Sequence, residues 1–349
     1  MLDFKGLVGQ HAVKDKLAGL VMRGAPGHAH LFTGAAGFGK RLFACAFAKA
    51  LLCAGSKLRE QLGFTDPGRL PCGDCLPCKL FHTGATGDYL YVEPTGQGQR
   101  PAIPVDDIRR IVDWFSTRPL YSPRKVCIIA QADHMTEQAQ NALLKTLEEP
   151  PSYGVAILTA SNPGMLLETV RSRCSVTFFT GYTDSDVENI LKNSPEPPHE
   201  SAITLLAQLS GGNPGYAFEL AASETFLSTR DELIGLFCGF LDREPEAAYL
   251  LSAFLDKNRE HYIQNAGILI HWLRDIWLCS LTGIHGGDPI SGQDADIRLK
   301  RYSDHFRPEN LLDCIGRLDE SCSALAANAG FSLTFNAMLF KMDELLYAS

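Results

Sequence analysis

The sequence predicts an α/β protein of the P-loop class: a parallel sheet with a cysteine-rich insert, then a small helical lid, then an all-helical region. Three observations predict it. Short apolar runs alternate with helical periodicity through the first half. A G-x-x-x-x-G-K segment separates the first of these runs from a long helical pattern. Beyond about Gly181 the strand signal fades, and helical spacing continues to the end.

Taken in order, His30-Leu31-Phe32-Thr33 is the first predicted strand, and the phosphate-loop candidate follows it. Arg41 to Leu52 reads as a helix. Asp88 to Val92 is a second strand, closed by Glu93-Pro94. Pro104 starts a helix whose first turn carries Asp106 and Asp107, acids that suit a helix N-terminus. Val105, Ile108, Ile111, Val112 and Phe115 then recur at helical spacing. Val126 to Ala130 and Val155 to Thr159 are continuous apolar runs, as in strands buried on both faces. Between them Ala139, Ala142, Leu143 and Leu147 mark a helix that Pro150-Pro151 stops. Ser175 to Phe179 is a fifth strand.

Asp184 to Leu191 and Ser201 to Leu209 read as short helices around the loop Ser194-Pro195-Glu196-Pro197-Pro198. Gly211 to Gly215 is a turn that opens another helix. From about Glu224 the pattern is helical, with a main loop from Gly283 to Ala295. Leu311, Leu312, Ile315, Leu318, Cys322 and Leu325 mark one long amphipathic helix, and Met338, Leu339, Met342, Leu345 and Leu346 the last. The expected domains are 1–181, 182–223 and 224–349, which suits a length of 349 residues.

Composition bounds the function. Hydrophobic residues at 45% and charged residues at 21% exclude disorder as the main state. A net charge of −8 argues against a free-standing DNA binder. The N-terminus lacks a signal-peptide run, and no apolar stretch is long enough to span a membrane. A cytoplasmic protein is therefore expected, with its eleven cysteines as thiols or metal ligands rather than disulfides.

Gly34-Ala35-Ala36-Gly37-Phe38-Gly39-Lys40 has the glycines that let backbone N–H groups close around phosphate, and a lysine to reach it. Gly34, Gly37, Gly39 and Lys40 are thus the candidate nucleotide contacts. The next residue should carry a hydroxyl for Mg²⁺, but it is Arg41, a cation that repels the metal and puts ATP binding in doubt. The later buried strand should end in acids. It ends in Ala130-Gln131, with Asp133 out of register, so intrinsic ATP hydrolysis is not expected.

Cys72, Cys75 and Cys78 have the CxxCxxC spacing of a metal knuckle. Cys53, at the end of the preceding helix, is the expected fourth ligand of a structural zinc site. Cys45 is the rival, but it sits mid-helix among Phe43, Ala46 and Phe47, as a core residue would. An iron–sulfur cluster is the alternative metal reading, although the CxxxCP element that would follow is missing. Free thiols are the plain reading. The other seven cysteines read as small buried hydrophobes.

Together these pieces resemble the clamp-loader subunits of bacterial DNA polymerase III, within the AAA+ family. Val8-Gly9-Gln10, the segment from His28 to Phe32, the cysteines after the loop, Asn141 to Pro151 and Ser172-Arg173-Cys174 carry the resemblance. It covers most of the first two thirds, and the remainder matches only as a helical collar of suitable length. Motor members keep the loop threonine and an Asp-Glu pair, so Arg41 and Ala130-Gln131 resemble the non-hydrolysing, delta-prime-like members. Gly215 stands where AAA+ members usually carry a second-domain sensor arginine.

The resemblance implies that Arg173 is a finger serving a neighbour's ATP site. A helix cap or a carboxylate partner is the plainer role for that arginine. It implies a stator in a five-subunit ring with motor (gamma/tau-like) and delta-like subunits, engaging the sliding clamp and primer-template DNA through the assembly, with no membrane partner. An ATP-hydrolysing motor subunit of the same family is the alternative. A zinc-dependent nucleic-acid binder is the contrasting class, but Gly73, Asp74, Leu76 and Pro77 supply no basic or aromatic reading surface. Arg109-Arg110, Arg171 with Arg173, and Lys300-Arg301 read as solvated pairs. Glu148-Glu149 reads as a solvated pair or as interface contacts, because adjacent helical residues diverge by about 100°.

Overall fold

A computed structural model describes residues 6–55, 71–96, 101–223, 226–282, 292–326 and 329–347. The chain separates into two compact units, Met1–Ile190 with Gly212–Gly215, and Leu191–Gly211 with Tyr216–Ser349.

The first unit contains α1 (His11–Met22), β1 (Ala29–Thr33), α2 (Lys40–Leu52), α3 (Leu76–His82), β2 (Tyr89–Val92), α4 (Val105–Phe115), β3 (Lys125–Ile129), α5 (Glu137–Glu148), β4 (Gly154–Ala160), α6 (Glu168–Arg171) and β5 (Ser175–Phe178). The strands form one parallel sheet in the order β2-β3-β4-β1-β5. Alternation along the strands explains why the central runs are wholly apolar. Val126, Ile128, Val155 and Ile157 pack on one face with Leu17 and Phe47. Cys127, Ile129, Ala156 and Leu158 pack on the other with Ile108, Ile111 and Leu143.

Two details adjust the predicted boundaries. Asp88 precedes β2 instead of opening it. Its buried carboxylate accepts from the backbone N–H groups of Leu120 (2.7 Å), Tyr121 (2.8 Å) and Ser122 (2.8 Å). β3 begins one residue early, at Lys125, whose buried ammonium donates to the Trp114 carbonyl at 2.6 Å. The open side of edge strand β5 is covered by Lys16, which donates to the Val176 carbonyl at 2.7 Å.

Then follow α7 (Asp184–Lys192), α8 (Glu200–Leu209), α9 (Pro214–Ala222), α10 (Phe226–Leu241), α11 (Ala247–Lys257), α12 (Tyr262–Thr282), α13 (Gly292–His305), α14 (Pro308–Ala326) and α15 (Phe331–Tyr347). The core of the second unit includes Phe237, Leu273, Leu311, Leu318, Phe335 and Met342, all buried. Inside it the Tyr262 and Ser321 hydroxyls pair at 2.7 Å. The predicted loop from Gly283 to Ala295 lies largely outside the described residues. Its last part, from Gly292, is helical and belongs to α13. Among the described residues no helix is long and apolar enough to cross a membrane.

The ring of His30 in β1 is buried and packs edge-on against Phe47, with centroids 5.0 Å apart. Burial lowers its pKa to about 4. The folded state therefore resists protonation that the unfolded chain accepts near pH 6.5. Stability contributed above that pH is lost as the pH falls towards 4, by about 3 kcal/mol. Urea unfolding of wild type and His30→Leu between pH 7 and pH 4 is expected to show a shallower acid loss in the variant.

Candidate functional site

The carboxyl ends of β1, β3 and β4 meet at one edge of the sheet, and the candidate phosphate loop leaves β1 there. Gly37 has φ +83°, and a Cβ on it would lie 2.0 Å from Oδ1 of Asn213. Only glycine fits this position. The Asn213 amide donates to the Ala36 carbonyl at 3.0 Å, and the Gly215 N–H to the Gly37 carbonyl at 3.2 Å. The turn Gly212–Gly215 therefore clamps the loop from outside. A Cβ at Gly215 would come within 2.5 Å of Gly37 Cα. An arginine at this position would collide with the loop backbone.

Lys40 opens α2, with Gly39 as its cap. Its ammonium donates to the carbonyls of Gly34 (2.5 Å) and Ala35 (2.7 Å) and to the Ser161 hydroxyl (3.2 Å). Burial lowers its pKa, and the nearby Asp133 carboxylate opposes that shift. The lysine is thus held by its own loop and by the end of β4. Arg41 points outward, over the Tyr91 ring (4.9 Å to its centroid) and 3.9 Å from Glu93, in an exposed ion pair. Both side chains line a cleft of about 450 Å³ with Glu93, Gln131 and Ser161.

Among the described residues, no carboxylate directly follows β3, where the chain reads Ala130-Gln131. Gln131 takes a left-handed conformation (φ +49°) and donates its N–H to the Thr159 hydroxyl at 3.0 Å. Asp133 faces β4 instead. Its Oδ2 accepts from the N–H groups of Ser161 (3.0 Å) and Asn162 (2.8 Å), so it shapes the segment that reaches Lys40. Asp133 stood out only as an acid out of register and Asn213 only as part of a turn, and nothing in the spacing marked Ser161 or the contacts of the other two.

Arg173 follows α6. Its Nη1 donates to the Thr169 carbonyl at 2.8 Å, and its Nη2 lies 2.6 Å from Oε1 of Glu148. Arg109 and Arg110 pair with Asp106 and Asp107 on an exposed face of α4, as the solvated reading expects.

The structure brings Cys53, Cys72, Cys75 and Cys78 together, with all four Sγ atoms within 4.8 Å of one another. Cys53 ends α2, Cys75 caps α3 and Cys78 lies inside it. The Cys53 sulfur lies 3.5 Å from that of Cys72 and 3.9 Å from that of Cys75. A tetrahedron of Zn–S bonds about 2.3 Å long has S···S edges of about 3.8 Å. The set therefore has the size and softness for a thiophilic ion, and it can hold a metal such as zinc. The contact between Cys53 and Cys78 lowers the pKa of the Cys53 thiol and raises that of Cys78. Cys45 is apart, 3.8 Å from the Tyr89 hydroxyl, and burial raises its pKa. Of the other cysteines, Cys127, Cys238, Cys279 and Cys314 are buried, while Cys174 and Cys322 are half-buried, more open than expected.

A parallel sheet in this order, with a phosphate loop after β1 and helices beyond, defines an α/β protein of the P-loop class. Residues 9–183 match the family described as DNA polymerase III, delta subunit. The chain is 32% identical over 321 residues to the DNA polymerase III subunit delta' of Bacillus subtilis, covering 91% of each chain. It is 29% identical over 221 residues to the tau subunit of the same organism, covering 62% of this chain and 37% of that one. A solved DNA polymerase III gamma-subunit-related protein of Thermotoga maritima is 18% identical, with a TM-score of 0.40 over 95% of this chain and 98% of that one. The chain belongs to the DNA polymerase III delta/delta-prime family of clamp-loader subunits.

Cobalt(II) added to the chain is expected to give the intense visible absorption of a tetrahedral thiolate site. Cys78→Ser should weaken that absorption and lower the melting temperature, whereas Cys45→Ser should leave the spectrum unchanged.

Proposed function

We propose that the chain is a non-hydrolysing, delta-prime-like stator of the clamp loader. In this reading it helps load the sliding clamp onto primed DNA and supplies Arg173 in trans to a neighbouring ATPase subunit. The observation that carries the reading is an asymmetry between two sites. At the phosphate loop, Arg41 replaces the metal-binding hydroxyl, Ala130-Gln131 replaces the acids, and Lys40 is bound to its own loop. At Arg173, a planar guanidinium remains about one-third exposed. Such a fork suits the charge that develops on a transferring phosphoryl group.

The partners proposed are motor (gamma/tau-like) and delta-like subunits in a five-subunit ring, with the clamp and primer-template DNA reached through that assembly. Likeness to a tau subunit supports motor neighbours of the same fold. Residues 182–223 would form the lid and 224–349 the collar. Zinc in the four-thiolate site would tie α3 to the end of α2, a structural role remote from chemistry. As a replication subunit the protein is assigned to the cytoplasm.

The test is reconstitution with the motor and delta-like subunits, clamp and primed DNA. Arg173→Ala is expected to lower hydrolysis at the ATP site it completes by roughly 10³-fold, with the assembly intact on gel filtration. Lys40→Ala should leave that rate within about twofold, since the loop is not a source of turnover. An unchanged rate in Arg173→Ala refutes the finger.

A further inference from the structure

Glu148 is the last residue of α5, and the family reading leaves it without a role. Its Oε1 takes Nη2 of Arg173 at 2.6 Å, while Nη1 of the same guanidinium is held by the Thr169 carbonyl at 2.8 Å. The two acceptors come from different elements, the end of α5 and the short helix α6. Together they engage both terminal nitrogens and so fix the plane of the fork. An arginine has five N–H donors, and the remaining ones stay available to a ligand outside this chain.

The frame that carries the two acceptors is itself fastened. Gln140, buried in α5, donates to the Met165 carbonyl at 3.1 Å and accepts from the Leu167 N–H at 2.7 Å. That ties α5 to the segment that launches α6. Glu148 is half exposed, and an ion pair of this kind adds little to stability. Its value lies in orientation. A long side chain held in one rotamer loses less freedom on docking than one that samples many.

We propose that Glu148 is a positioning residue that orients Arg173 for the neighbouring subunit's ATP. This rests on the reading of Arg173 as a finger in trans. Phosphate oxygens approach a guanidinium already aligned, and Glu148 touches neither nucleotide nor metal.

The experiment uses the full reconstituted assembly and follows ATP hydrolysis with clamp and primed DNA. Glu148→Ala is expected to lower kcat about tenfold, with KM for ATP and the melting temperature unchanged. Glu148→Gln, which keeps an acceptor oxygen, should retain more than about half of the rate. Added to Arg173→Ala, Glu148→Ala should bring no further loss, because the two act as one unit. Full activity of Glu148→Ala, where Arg173→Ala has lost it, overturns the positioning role and leaves the finger standing. Independent, multiplicative losses in the double variant also overturn it. Full activity of Arg173→Ala overturns the finger, and with it this proposal.

Discussion

All five strands of the sheet run the same way, and the rest of the first unit follows from that. Parallel pairing sends every strand's carboxyl end to one edge, and each return must cross a face of the sheet. Both faces are therefore covered, which demands the continuous apolar runs of β3 and β4. β1 is paired on both sides, to β4 and β5. The loop after β1 thus emerges beside the ends of β4 and β3, and Lys40 reaches Ser161 across 121 residues of chain.

At that edge Arg41 follows the loop lysine, and Ala130-Gln131 follows β3. A phosphate loop of a motor protein offers donors to phosphate and a hydroxyl to a metal. Here the carbonyls of Gly34 and Ala35 are taken by Lys40, those of Ala36 and Gly37 by the 212–215 turn, and the Phe38 carbonyl accepts from the Tyr182 hydroxyl at 3.4 Å. The lysine and the loop's carbonyls are thus paired within the chain, whereas a phosphate would meet the loop's N–H groups. Arg173 is held by the Thr169 carbonyl and Glu148, while its side chain stays about one-third exposed.

Much of this was legible from residue order. Glycine and proline punctuation, period-2 and period-3.6 patterns and the CxxCxxC spacing are local signals, and the five strands lie within one residue of their expected limits at each end. The choice of Cys53 over Cys45 was legible from context, since Cys45 sits on the core face of α2. Less legible were contacts set by long loops. Asn213 meets Gly37, and Asp133 meets Ser161, without any sequence spacing that reports it. Glu148 looked like half of a solvated acidic pair. Only the packing of α5 beside α6 turns one of those acids toward Arg173. The end of the expected 283–295 loop proved helical because helix propensity in a polar stretch carries little apolar periodicity to read.

By itself, the sequence determined the fold class, that Arg41 follows the loop lysine, that Ala130-Gln131 follows the third strand, and the identity of the thiols. These depend on residue type and on separations of a few positions, which local sterics and hydrophobic periodicity translate directly into structure. The tertiary structure decided how closely the four expected thiols converge, that Lys40 folds back on its own loop, that the Gly215 position has no room for a side chain, and that Glu148 holds Arg173. Each of those is a contact between distant segments, and its distance is set by packing of the whole unit rather than by any local preference.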